Sequence, residues 1–92
     1  MTELVVRIPA ALQSFAGGQR ELRAGSGTVA EVLQQLSAQH PQLVQRLLTP
    51  EGELRPFVNI FVGKVNVRDL RGLATRVLDG EVLTILPAVA GG

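Results

Sequence analysis

Residues 79–92 read DGEVLTILPAVAGG, and this stretch predicts the last strand of the fold and the boundary between the folded domain and its tail. Asp79-Gly80 is a strong turn signal, and the apolar run over residues 82–86 predicts a strand that Pro87 closes. The residues after this proline are small and carry no periodic pattern. We therefore expect a folded domain over residues 1–87 and a flexible tail over residues 88–92.

Further strands are predicted upstream of this stretch. Residues 57–62 (FVNIFV) are the best strand candidate in the chain, and a turn at Gly63-Lys64 leads into a brief strand over residues 65–67. Near the N-terminus, residues 3–8 predict a first strand. The pair Gly17-Gly18 predicts a turn before a polar second strand over residues 19–23, which we expect to form a hairpin with the first.

One main helix is predicted to begin at Thr28. Thr28 and Glu31 have the spacing of a capping box, in which each side chain bonds to the other residue's backbone N–H. Pro41 ends this helix near His40. Four apolar residues at helical spacing predict its buried stripe: Val29, Val32, Leu33 and Leu36. Residues 43–48 predict a second, short helical segment. The fold class is therefore α+β, with a mixed sheet of four to five strands packed on one main helix.

The composition excludes several classes of function. The 92 residues carry a net charge of +1, and only three are aromatic, so the chain lacks the basic stripe and stacking aromatics of a nucleic-acid binder. It has no cysteine for a thiolate site, and no apolar run is long enough to span a membrane. The N-terminus does not have the pattern of a signal peptide. We expect a soluble, cytoplasmic protein.

The chain also lacks convincing catalytic or metal-ligating groups. His40 is the only histidine, which leaves any triad or metal cluster short of partners. The loop Gly25-Ser26-Gly27-Thr28 lacks the lysine of a phosphate-binding loop. We expect no enzyme activity, no metal and no bound cofactor. The terminal Gly91-Gly92, in contrast, has no Cβ atoms, so it can thread a narrow channel and present its carboxylate to another protein.

Residues 79–92 resemble the C-terminal signature of the small ubiquitin-like sulfur carriers, such as the molybdopterin synthase small subunit and the thiamine-pathway carrier. The resemblance extends through residues 57–60 and 70–75, and with the hairpin and capped helix it covers essentially the whole chain. Within the family, Gly72-Leu73-Ala74-Thr75 and residues 86–92 most resemble the cysteine-biosynthesis carrier. Molybdopterin synthase carriers more often have a second proline at the position of Ala88. The resemblance implies a ubiquitin-like β-grasp fold.

The resemblance also implies a mechanism. An E1-like enzyme would use ATP to adenylate the Gly92 carboxylate, and sulfur transfer would then give a thiocarboxylate. The acceptor of the cysteine pathway would be a pyridoxal-phosphate enzyme of the cysteine synthase type, followed by a metalloprotease-like hydrolase. Four residues would thread the partner's channel ahead of Gly92: Ala88, Val89, Ala90 and Gly91. The carrier would be a protein cosubstrate.

A partner surface is predicted from the alternation over residues 57–62. The aliphatic Val58, Ile60 and Val62 should face the core. Phe57, Asn59 and Phe61 should then face outward beside the tail, where an exposed aromatic patch often marks an interaction site. A loop or the second helix covering these phenylalanines is an equal alternative. Arg68 and Arg71 are candidates to guide an acidic partner on the same face, although simple solvation also accounts for them.

Three other interpretations are compatible with the same tail, and one of them is a purely structural interaction domain in which the tail is inert. A molybdopterin synthase small subunit would insert Gly92 into the large synthase subunit and deliver sulfur to a pterin precursor. A ubiquitin-like modifier would instead form an isopeptide bond between Gly92 and a target lysine, and Lys64 is the only internal lysine for chain building.

Overall fold

A five-stranded mixed sheet and two α-helices form the framework of the computed structural model, which describes residues 3–87. The helices are α1 (Val29–Gln39) and α2 (Pro41–Leu47). The strands of this sheet run in the order β2-β1-β7-β4-β5. Their bounds are β1 Leu4–Arg7, β2 Glu21–Ala24, β4 Val58–Val62, β5 Val65–Asn66 and β7 Val82–Pro87. A second sheet pairs β3 (Gly27–Thr28) with β6 (Arg76–Val77).

Strand β7 lies at the centre of the larger sheet. It runs parallel to β1, with Val5 opposite Val82, and antiparallel to β4, with Val58 opposite Pro87. The predicted hairpin is confirmed, because β1 and β2 pair antiparallel. This mixed arrangement packed on a main helix is the ubiquitin-like β-grasp fold that the sequence predicted.

Helix α1 begins at the predicted capping box. The Thr28 hydroxyl accepts from the Glu31 backbone N–H at 3.2 Å, and a Glu31 carboxylate oxygen accepts from the Thr28 N–H at 2.8 Å. Gly27 makes room for this carboxylate, since a Cβ atom there would lie 2.7 Å from Glu31 Oε1. The helix ends at Gln39 with His40 as its C-cap, and Pro41 opens α2 directly, as a proline in the first turn can.

The core is aliphatic and lies between the helices and one face of the sheet. The four residues of the predicted helical stripe are all buried, as are Leu43, Val44 and Leu47 of α2. From β4, Val58 and Ile60 are buried as predicted, but Val62 is only partly buried. Val62 lies in the last pair of β4 with β5, the edge strand, where less of the structure covers it.

Several short segments were not predicted from the sequence. Residues Ala10–Ala16 form a 3-10 helix whose Phe15 ring lies 4.3 Å beneath the guanidinium carbon of Arg46. Two further 3-10 turns, Val67–Asp69 and Gly72–Ala74, connect β5 to β6. The predicted strand over residues 65–67 therefore ends one residue early. After the second turn, the Thr75 carbonyl accepts from the Val29 N–H at 2.9 Å, which fixes this connection to the start of α1.

Candidate carrier site and partner surface

The predicted reactive residue and threading residues, Gly92 and residues 88–91, lie outside the described part of the chain. The structure does fix the point from which this tail departs. Pro87 is the last residue of β7, and it pairs with Val58 at the start of β4. Strand β7 has partners on both sides, so its position in the sheet is set by β1 and β4 together. The tail therefore starts at a defined position next to the start of β4.

The outer face of the sheet, opposite the helices, carries side chains that surround this departure point. In the β4–β7 register, Asn59 lies opposite Leu86, and Phe61 lies opposite Thr84. Phe57 directly precedes β4 and is 61% exposed, while Leu86 is 46% exposed. We call this set the outer patch: Phe57, Asn59, Phe61, Thr84 and Leu86. Phe57 is thus uncovered, whereas Phe61 and Asn59 are half-buried within their face.

Arg68 has a structural role beside this patch. Its Nη2 atom donates to the carbonyl oxygen of Arg55 at 2.9 Å and to that of Val58 at 2.8 Å. The Val58 N–H also donates to the Arg55 carbonyl at 3.0 Å, which closes the turn that contains Phe57. Arg68 therefore holds the Phe57 turn against β4, an arrangement that the sequence did not reveal.

A short polar relay crosses the outer face from Arg68 to Asn59. The Arg68 backbone N–H donates to Asn66 Oδ1 at 2.9 Å. Asn66 Nδ2 in turn donates to Asn59 Oδ1 at 3.2 Å. Asn59 is thereby tied to β5 and to the segment after it, and its side chain is held next to Leu86.

Arg71 follows Arg68 by three residues and lies outside the strands of the sheet. It precedes the 3-10 turn Gly72–Ala74, which packs against α1, and its backbone N–H donates to the Thr75 hydroxyl at 3.0 Å. Its role at a partner surface stays a prediction. The sequence reasoning also missed Thr84 and Leu86. The alternation of polar and apolar residues along the last strand was the available signal, since Leu83 and Ile85 are buried and Thr84 and Leu86 are not.

Two kinds of feature are absent from residues 3–87. Within them, no group of three or more His, Asp or Glu side chains is positioned to hold a metal ion. No helix in this part of the chain is long and apolar enough to cross a membrane.

Comparison with known proteins identifies the family. A model described as the ThiS family matches residues 6–92, which is nearly the entire chain. The chain belongs to the ThiS family. It is a ubiquitin-like sulfur carrier and not an enzyme, in agreement with the sequence prediction.

Individual ThiS-family relatives cover almost the full chain. Sulfur carrier protein CysO of Mycobacterium tuberculosis is 43% identical over 91 residues, which are 97% of this chain and 98% of the relative. A crystal structure of the Amycolatopsis orientalis BexX/CysO complex matches with a TM-score of 0.90 and 39% identity, covering 97% of this chain and 99% of the matched chain. The small archaeal modifier protein 1 of Methanosarcina acetivorans matches with a TM-score of 0.82 and 33% identity, covering 100% and 98%.

Proposed function

We propose that this sulfur carrier operates in cysteine biosynthesis through a thiocarboxylate at Gly92. The observation that carries the proposal is the 43% identity to CysO sulfur carrier proteins over 97% of the chain. The molybdopterin and modifier alternatives are not favoured by these similarities. The position of Pro87, the last described residue, supports a carrier role, since β7 is held at the centre of the sheet beside an exposed patch.

The first half of the proposed cycle activates the Gly92 carboxylate, which is a poor electrophile. A carboxylate oxygen of Gly92 attacks the α-phosphorus of ATP in an E1-like enzyme, and pyrophosphate leaves. A sulfide-level donor then attacks the acyl carbon of the adenylate, and AMP leaves as the thiocarboxylate forms. Because glycine lacks Cβ, Gly91-Gly92 can enter a channel too narrow for other residues. Residues 88–90 are the segment that would occupy the outer part of this channel.

The second half transfers the sulfur. In an acceptor of the cysteine synthase type, a pyridoxal-phosphate enzyme holds an aminoacrylate, and the thiocarboxylate sulfur adds to its β-carbon. Hydrolysis by a metalloprotease-like enzyme then cleaves the bond to Gly92, releases cysteine and restores the carboxylate. This carrier supplies no acid or base to these steps. Its contribution is to present Gly92 and to bind each enzyme in turn.

Intact-mass measurement of the protein isolated from its own cells tests the proposal. We expect a fraction of the chain to carry one oxygen-to-sulfur exchange, located at Gly92 by fragmentation. That fraction is then incubated with the cysteine synthase-type enzyme and an activated serine. The mass shift of the oxygen-to-sulfur exchange should be replaced by the larger shift of one attached cysteine. Covalent adducts of the chain on lysines of other proteins would instead favour a modifier. Stimulation of pterin sulfuration by the large molybdopterin synthase subunit would favour the molybdenum pathway.

A further inference from the structure

The relay from Arg68 to Asn59 has a fixed hydrogen-bond direction. A backbone N–H can only donate, so the Asn66 atom 2.9 Å from the Arg68 nitrogen must be the carbonyl oxygen Oδ1. The other end of the Asn66 amide is then Nδ2, which can only donate. The Asn59 atom that lies 3.2 Å from it must therefore be the acceptor Oδ1. The Arg68 backbone N–H thus fixes the amide orientation of Asn59 through two successive hydrogen bonds.

This direction leaves one chemical group of Asn59 available. Its Nδ2 atom has no hydrogen-bond partner within residues 3–87. Within residues 3–87 every fully buried side-chain nitrogen or oxygen has a partner, so this atom is at least partly accessible to solvent. Asn59 thus presents two N–H hydrogens toward the outer patch, while its Oδ1 is engaged by Asn66.

The surroundings of this donor indicate what it binds. Asn59 lies opposite Leu86, the residue before the last described position, and shares its strand face with Phe61. A partner that covers these apolar side chains must bring an oxygen to Asn59 or leave its N–H groups unsatisfied. A carboxylate placed among Leu86 and Phe61 would lose its hydration, and the nearby Arg68 guanidinium already donates through Nη2 to the Arg55 and Val58 carbonyls. A neutral backbone carbonyl oxygen fits the site better.

We infer that Asn59 is a donor site for a backbone carbonyl oxygen of the enzyme that adenylates Gly92, and that Asn66 and Arg68 set its orientation. The inference rests on the proposed function, in which the activating enzyme must receive the tail beside Leu86 before any later enzyme can use it. Asn59 contacts the partner in this scheme, while Asn66 and the Arg68 N–H act as positioning groups.

Two aspartate variants invert the polarity of the site. In Asn59→Asp, the carboxylate still accepts from Asn66 Nδ2 but presents an acceptor to the partner. In Asn66→Asp, residue 66 still accepts from the Arg68 N–H but no longer donates. Asn59 must then turn its amide over to donate to Asp at position 66, and its own oxygen faces outward. Asn59→Leu removes the donor without adding a charge.

The test measures ATP–pyrophosphate exchange by the activating enzyme of the same organism, with the full-length carrier as the varied substrate. We expect all three variants to raise the KM for the carrier roughly tenfold, with kcat little changed. Because added salt screens an exposed charge but not a missing hydrogen bond, the increase should persist at high ionic strength. Arg20→Ala is the control and should leave the KM unchanged. Arg20 lies in the β1–β2 hairpin at the opposite side of the sheet, and its side chain makes no hydrogen bond within residues 3–87.

A second measurement needs no partner. In the free protein, NMR should show slowed solvent exchange for the Asn66 side-chain amide hydrogens and fast exchange for those of Asn59. In Asn66→Asp, the Asn59 hydrogens should become the slow ones. Wild-type KM values for Asn59→Asp and Asn59→Leu would overturn the donor assignment, as would slow Asn59 hydrogens in the unmodified chain. If the activating enzyme shows no ATP–pyrophosphate exchange with the unmodified carrier, the proposed function is contradicted. The NMR measurement would still decide the amide orientation of Asn59.

Discussion

The guanidinium of Arg68 donates to the carbonyl oxygen of Val58, the residue that pairs with Pro87 at the end of the central strand. One arginine thus connects the turn that carries Phe57 to the point where the carboxyl-terminal tail begins. The side chain is exposed on the surface, yet its charge is used to fix two backbone carbonyls. Arg68 thus supports the outer patch, while its predicted role in guiding an acidic partner stays a prediction.

Replacing Arg68 should destabilise the protein by a small but measurable amount. Arg68→Ala removes both hydrogen bonds to the carbonyls of Arg55 and Val58, and we expect a loss of about 1 kcal/mol in the free energy of unfolding because water can reach these groups. Urea unfolding measures this change. Arg71→Ala, whose side chain makes no hydrogen bond within residues 3–87, is the control and should stay within about 0.5 kcal/mol. Equal losses in the two variants would contradict the support role.

Removing Phe57 should weaken binding without weakening the fold. Phe57 is 61% exposed beside the start of the tail, so Phe57→Ala should change the free energy of unfolding by less than about 0.5 kcal/mol. If the outer patch is the docking surface, the KM of the activating enzyme for this variant should rise about tenfold or more, since exposed aromatics are often binding hot spots. Leu78→Ala is the matched control. Leu78 is 58% exposed but follows β6 of the other sheet.

The capping box should depend on a glycine. A Cβ atom at residue 27 would lie 2.7 Å from Glu31 Oε1, so Gly27→Ala should displace this carboxylate from the Thr28 N–H and cost about 1 kcal/mol. Glu31→Ala removes the same bond directly. Thermal unfolding of both single variants and of the double variant should show that the effects do not add. Fully additive losses would show that Gly27 acts through some other contact.

The tail should be required for transfer but not for folding. Every buried apolar residue in the described core lies between residues 4 and 85, so deleting Gly92 should leave the melting temperature unchanged and abolish the oxygen-to-sulfur exchange. Gly92→Ala keeps a terminal carboxylate but adds a methyl group. We expect it to be adenylated far more slowly, because the added Cβ must enter the same channel. Intact-mass analysis after incubation with the activating enzyme and ATP reads out both variants.

Local chemistry made much of the fold predictable. The capping box, the helical stripe and the turn glycines depend on neighbouring residues, and the structure confirms each of them. The connection through the 3-10 turn Gly72–Ala74 was missed in part because a contact between distant residues fixes it. The Val29 N–H donates to the Thr75 carbonyl, and this bond leaves no local pattern in the sequence.

The candidate site was only half predictable for a related reason. Alternation along β4 correctly separated Val58 and Ile60 from Asn59 and Phe61. It could not show that Leu86 lies opposite Asn59, since that pairing depends on the order of strands in the sheet. The Arg68 contacts to Arg55 and Val58 likewise require the folded connection between β5 and β6.

The central place of β7 has a consequence for how the molecule is made. Its parallel pairing with β1 joins residues near the two ends of the chain, and such non-local contacts slow folding. During synthesis, β1 and β4 must remain with unpaired edges until β7 emerges, because both strands pair with it. A chain interrupted before β7 lacks its middle strand and should be cleared as an unfolded polypeptide. The larger sheet can therefore close only after the chain has been translated through β7.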